Sequence, residues 1–115
     1  MNIIHADPTK GIIEAEFSTR AEFHNHVGNI QGGILVAMLD DLMGYALGIT
    51  LPVDQFAPTA NLNASFLRSV SSGKIIGKGQ VLKVDGVLAH MAAKLFNEQN
   101  EILASATCKA KISAI

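Results

Sequence analysis

Hydrophobic and polar positions change rhythm once along this chain, near Pro52. Before it, Gly33 to Ile49 (GILVAMLDDLMGYALGI) is an apolar run broken only by Asp40 and Asp41. No proline lies between Pro8 and Pro52, so the run predicts one continuous helix stopped by Pro52. Its large apolar residues, from Ile34, Leu35 and Val36 to Leu47 and Ile49, point all round the axis. Such a helix is buried in protein or in lipid. Two adjacent carboxylates argue against lipid, where each would cost about 2.5–3.5 kcal/mol at the bilayer centre. The pattern therefore predicts the central helix of a water-soluble domain.

Elsewhere the period is two. Gly11 to Phe17 is a first strand, after a short lead from Met1 to Lys10 with a turn at Asp7–Pro8. Beyond Pro52 the chain reads as strands only: Ala57–Leu67, Lys74–Val84, Val87–Phe96 and Ile102–Ile112. Turns are expected at Ser71–Ser72–Gly73, at Asp85–Gly86 as a hairpin, and over Asn97–Asn100. In Ala57–Leu67, Ala60, Leu62, Ala64 and Phe66 fall on one face and Thr59, Asn61, Asn63 and Ser65 on the other. Gly77 and Gly79 mark a place where another backbone or a ligand approaches closely. One long helix with an antiparallel meander is an α+β layout, with the sheet curled round the helix.

Composition narrows the class. At 115 residues the chain is expected to form a single domain spanning residues 1–115. Charged residues are 17% and hydrophobic ones 49%. So low a charge fraction on a small domain predicts that part of its surface is covered by another copy, a homo-oligomer. A net charge of −1, with no basic stripe, argues against a nucleic-acid binder. The single cysteine, Cys108, rules out an internal disulfide and suits a reducing compartment. The start, MNIIHADPTK, has no basic segment followed by an apolar stretch, so a cytoplasmic protein with no membrane partner is expected.

Candidate chemistry gathers on the helix. Its start carries free N–H groups and the positive dipole end at Gly32 and Gly33. Two glycines leave that backbone bare, either for tight packing or so that a ligand oxygen can reach the N–H groups as in an oxyanion hole. Asp40 has small neighbours, Ala37 and Gly44, about one turn away on either side. Asp41 is turned by about 100° and cannot occupy the same place. Gly32 and Asp40 are eight residues apart, about 12 Å along the axis. One carbonyl cannot touch both from a straight helix, so a shared reaction requires two chains and a two-fold dimer. His24 and His26 lack a third ligand at motif spacing, so no metal site is expected. Cys108 lies in the apolar register of its strand and reads as core.

Asn25, Gly28, Gln31–Gly32–Gly33 and Asp40, in the frame N-x-x-G-x-x-Q-G-G-x-x-x-x-x-x-D, resemble the motif of hotdog-fold acyl-CoA thioesterases of the phenylacetate-degradation type. The stretch from Thr59 to Thr107 resembles the same family's four strands, and the likeness runs from about Gly11 to Ile112. The resemblance implies a hotdog fold, a long helix wrapped by a curved antiparallel sheet, acting as a dimer or dimer of dimers on an acyl-CoA substrate without a cofactor. It implies hydrolysis of an acyl- or aromatic acyl-CoA thioester, with Asp40 as the catalytic carboxylate, general base or nucleophile, and the Gly32 N–H polarising the thioester oxygen. Asn25 would hold the thioester or the water, and Thr59 would assist the carboxylate. Thr59 falls on the polar face by simple alternation, so it reaches the site only from the strand's start.

Gln31 stands where the family more often has histidine; it can donate a hydrogen bond but cannot titrate. Gln31 and Gly33 are expected at the substrate, the acyl pocket among Met38, Met43 and Tyr45, and the CoA phosphates near Arg68, Lys74, Lys78 or Lys83. Two alternatives remain: an acyl-CoA-binding hotdog protein without catalysis, and a hydratase, for which a histidine at Gln31 is missing.

Overall fold

The computed structural model describes residues 1–19, 25, 28–70 and 73–114. The elements follow as β1 (Asn2–Asp7), β2 (Ile12–Ser18), α1 (Gly32–Gly48), β3 (Gln55–Phe56), β4 (Thr59–Phe66), β5 (Lys74–Asp85), β6 (Leu88–Phe96), β7 (Ile102–Lys111) and β8 (Ser113–Ala114). Six strands form one antiparallel sheet in the order β1-β2-β5-β6-β7-β4, and β3 pairs with β8. The single long helix lies across this sheet and touches β2, β4, β5, β6 and β7. That arrangement is the hotdog fold.

The helix follows its expected course, one residue earlier at each end. Its burial does not. Leu35, Met38, Leu39, Leu42, Met43, Ala46 and Leu47 form a buried stripe at helical spacing. Gly33, Ala37, Asp41, Gly44, Tyr45 and Gly48 are exposed. The expectation of a helix buried all round is corrected: the sheet covers one side, and the far side carries small residues.

β5 passes closest beneath the helix. A Cβ on Gly79 would stand 2.5 Å from the Leu42 carbonyl oxygen, and one on Gly77 would overlap the Leu42 side chain. Glycine at both positions lets the helix backbone settle onto the strand, as their place in the strand predicted. Leu42 and Leu39 are fully buried there. Ala89, Met91, Ala93 and Leu95 of β6 and Ala104, Ala106, Cys108 and Ala110 of β7 supply the rest of the floor.

The lead before the first predicted strand is itself a strand. β1 pairs with β2 along the sheet edge, and its residues are mostly exposed. It has no alternation of its own, so backbone pairing rather than burial places it. The turn after it is as expected: the Asp7 carboxylate accepts the N–H groups of Thr9 and Lys10, both at 3.1 Å. The β5–β6 hairpin turns one residue later than predicted, at Gly86–Val87, with Asp85 opposite Leu88 and Gly86 at φ +65°. Val87 leaves the strand and is 59% exposed. Ser71 and Ser72 of the predicted turn lie outside the described residues.

Candidate active site

Asp40 sits at mid-helix, half-buried, beside the start of β4. The Thr59 hydroxyl donates to Asp40 Oδ1 at 2.9 Å. Simple alternation puts Thr59 with Asn61 on the polar outer face. The register explains why it is elsewhere. Thr59 lies opposite Ala110, whereas Asn61 lies opposite the next residue, Lys109. Two steps on β4 against one on β7 is a β-bulge at Ala60. Ala110 is an inward, buried residue, so the bulge turns Thr59 inward, toward the helix.

Asp40 and Thr59 border a cavity of about 460 Å³, shared with Asp41, Gly44, Tyr45, Gly48 and Ile49. Asp41 therefore reaches the same hollow, although Asp40 alone is held by Thr59. Partial desolvation at the lip of the hollow first, and then the charge of Asp40, push the Asp41 carboxyl above its ordinary value. On the inner face nearby, burial and then Asp40 push the Cys108 thiol up to about 11. Cys108 thus stays a neutral core residue, as its register predicted.

The helix start lies apart. Gly32 opens α1, with Gln31 as its N-cap residue. The Gly32 and Gly33 N–H groups belong to the first turn and have no intrahelical acceptor. A second cavity, of about 330 Å³, is bordered by Gly32, Asn25, Phe66 and Arg68 among others. The Phe66 ring packs on Gly32, 3.4 Å from where a Cβ would be. The Asn25 side-chain oxygen accepts the Asn29 N–H at 3.2 Å, and its carbonyl accepts from Gly28 at 3.1 Å, which ties the loop before the helix. Arg68 pairs with Glu101 at 3.4 Å, half-exposed.

The remaining expected residues separate from these two clusters. Met43 is fully buried under the sheet, so its assignment to the acyl pocket is corrected: it is a core residue. Met38 is buried and borders a different hollow, beside Met1 and Phe17. Gln31 and Gly33 are exposed and border neither the Asp40 nor the Gly32 cavity. Lys74 pairs with Glu16 at 3.2 Å, and Lys78 lies over the Phe96 ring. Gly48 and Ile49 were not anticipated beside Asp40. Gly48, eight residues on, continues the i, i+4 row from Asp40 through Gly44, which was the available signal; Ile49 follows in the neighbouring row behind Asp41 and Tyr45. His24 and His26 lie outside the described residues. Among the described residues no helix is long and apolar enough to cross a membrane.

One helix laid on a six-stranded antiparallel sheet makes this a hotdog protein. The sequence model of the thioesterase superfamily matches residues 27–104, more than half of the chain. The chain belongs to the thioesterase superfamily. It is 32% identical over 78 residues to the proofreading thioesterase EntH of Klebsiella pneumoniae, covering 68% of this chain and 57% of that protein. It thus spans little more than half the length of that relative. Its structure superposes with a TM-score of 0.90 on a phenylacetic acid degradation-related protein of Ralstonia eutropha JMP134, 30% identical, over 95% of this chain and 82% of that one. A Streptococcus mutans UA159 protein solved with bound acetyl-CoA shares the fold at 17% identity, with a TM-score of 0.89 over 98% and 88% of the two chains.

Proposed function

We propose that this chain hydrolyses acyl-CoA thioesters at a site completed by two copies of itself. The Thr59–Asp40 hydrogen bond carries the reading. It fixes a carboxylate at the edge of an open cavity, with one oxygen held and the other available. Membership of the thioesterase superfamily and the acetyl-CoA bound to the S. mutans protein of the same fold support the substrate class.

A single chain separates the two halves of the chemistry into different cavities. β4 offers a way to join them. It is an edge strand, and it runs along the helix with Thr59 at Asp40 and Phe66 at Gly32. Two β4 edges paired antiparallel about a two-fold axis exchange their ends. The Asp40 end of one protomer then meets the Gly32 end of its partner, twice over.

In such a site Asp40 takes a proton from water, which attacks the thioester carbonyl. Alternatively its oxygen attacks first, and water then cleaves the anhydride. Either way the carbonyl oxygen gains negative charge, which the Gly32 N–H and the helix dipole stabilise. Collapse expels the CoA thiolate, leaving free acid. Asn25 holds the water or thioester, and Arg68, which borders the Gly32 cavity, meets a CoA phosphate. Gln31, which borders neither cavity, gives a hydratase no acid at this position.

Thiol release from a panel of acyl-CoAs tests the reading. Asp40→Asn and Gly32→Val are each expected to be inactive. Mixed under subunit exchange, they should regain activity, because one site of the mixed dimer receives both intact residues. Exchange without recovery overturns the shared site. An unchanged rate in Asp40→Asn overturns the assignment of the carboxylate and favours a protein that binds without catalysis.

A further inference from the structure

The cavity beside Asp40 carries information about the acyl group. Residues four apart on a helix stack into rows. Asp40, Gly44 and Gly48 make one row, and Asp41, Tyr45 and Ile49 the row beside it. All six border the same 460 Å³ cavity, with Thr59 as the contribution from the sheet. From the carboxylate onward, the first row has no side chain for two turns. The result is a trough about 12 Å long, at about 1.5 Å rise per residue.

Among the described residues, nothing packs where a side chain on either glycine would stand. A Cβ on Gly44 or Gly48 meets no heavy atom within 4 Å, and neither backbone is left-handed. Glycine in a helix interior weakens the helix relative to alanine. The bare row therefore answers to something that enters from outside, and it starts at the reacting carboxylate. On one chain the charges that border the cavity are Asp40 and Asp41, with no basic group beside them among the described residues. Burial and Asp40 already push the Asp41 carboxyl toward its neutral form, so a third acid is disfavoured.

We propose that Gly44 and Gly48 form the floor of an acyl channel that takes an uncharged acyl chain laid along α1 and rejects acyl groups ending in a carboxylate. The proposal rests on the reading of Asp40 as the reacting carboxylate. Gly44 lies under the first few carbons and Gly48 under the far end, with Tyr45 and Ile49 as the side wall.

The test is kcat/KM for acetyl-, butyryl-, hexanoyl-, octanoyl- and succinyl-CoA in the wild type and in Gly44→Val and Gly48→Val. The wild type should prefer hexanoyl- or octanoyl-CoA to acetyl-CoA, and butyryl-CoA to succinyl-CoA. Gly48→Val should lower the octanoyl-to-butyryl ratio by about 10-fold or more, and Gly44→Val should lower the butyryl-to-acetyl ratio similarly. This graded order separates a channel from general damage. Gly44→Ala, which strengthens the helix, and Gly48→Ala at its last residue serve the same comparison if a valine variant fails to fold. Equal losses on every substrate overturn the proposal. So does a changed assembly size by light scattering with an unmoved chain-length profile, since a partner helix then fills the trough. Succinyl-CoA turned over as well as butyryl-CoA overturns the charge argument. A wild type that cleaves none of the five but cleaves phenylacetyl-CoA overturns this proposal alone, and one that cleaves none of the six overturns the thioesterase reading with it. Cleavage that Asp40→Asn abolishes, with the profile unmoved by the glycine variants, overturns this proposal alone.

Discussion

Asp40 and Leu42 stand two residues apart on one helix, and their surroundings have little in common. Leu42 is fully buried, pressed onto β5 where Gly77 and Gly79 remove the side chains that would hold the helix away. Asp40 is half-buried, faces a cavity and is held by one hydroxyl. Both faces use paired glycines, for opposite reasons. The β5 pair is required by close packing inside the chain, and the α1 pair at 44 and 48 touches nothing. The inner face is where the close packing resides, and the outer face is left open beside the carboxylate proposed to react. Mutations on the two faces should therefore separate into losses of stability and losses of rate.

The largest expected effect is on rate. Asp40→Asn should reduce turnover by about 10²–10⁴-fold, the usual worth of a positioned base. Its melting temperature should hold within a few degrees or rise; a large drop would place Asp40 with the inner face. Thr59→Val keeps the side-chain shape and removes the donor. Losing a hydrogen bond to a charged group is worth about 1.5–3 kcal/mol, so turnover should fall roughly 10-fold or more. An unaltered kcat would mean that Thr59 does not position the carboxylate.

On the inner face, Gly79→Ala places a methyl group against the Leu42 carbonyl and should cost about 1–3 kcal/mol or more in urea unfolding. A neutral result would show that the helix can lift off β5. Gly44→Ala should go the other way, stabilising by about 0.8–1.0 kcal/mol from helix propensity. A loss of stability there would reveal a packing role the open surroundings deny.

The smallest effect concerns Asp41. Its folded-state carboxyl titrates above the ordinary 3.8, with burial the main cause. Between the two values the folded chain holds more protons than the unfolded one, so stability falls as pH rises through that window. Asp41→Asn should flatten the stability profile on the acid side and raise the melting temperature slightly at neutral pH, while most activity remains. A profile identical to wild type would show that Asp41 is not appreciably desolvated.

The residues by themselves determined the succession of a strand, the long helix with its proline stop and four later strands, the core register of Cys108, and a place at Gly77 and Gly79 where something comes close. Each is a local matter of period or of a missing side chain, and neighbours along the chain suffice to express it. The frame from Asn25 to Asp40 likewise pointed to the family. Tertiary structure decided the rest. Helical apolarity does not say how much of a helix the sheet covers, so the bare outer face and the burial of Met43 emerge only when the layers meet. β1 has no alternation to announce it, and pairing with β2 makes it a strand. Thr59 is the sharpest case. Alternation counts residues and assigns it outward, but pairing counts hydrogen-bonded partners. One unpaired residue at Ala60 shifts the register against β7 by a single step. That step turns the hydroxyl from solvent to Asp40, because a strand shows its two faces to alternate residues.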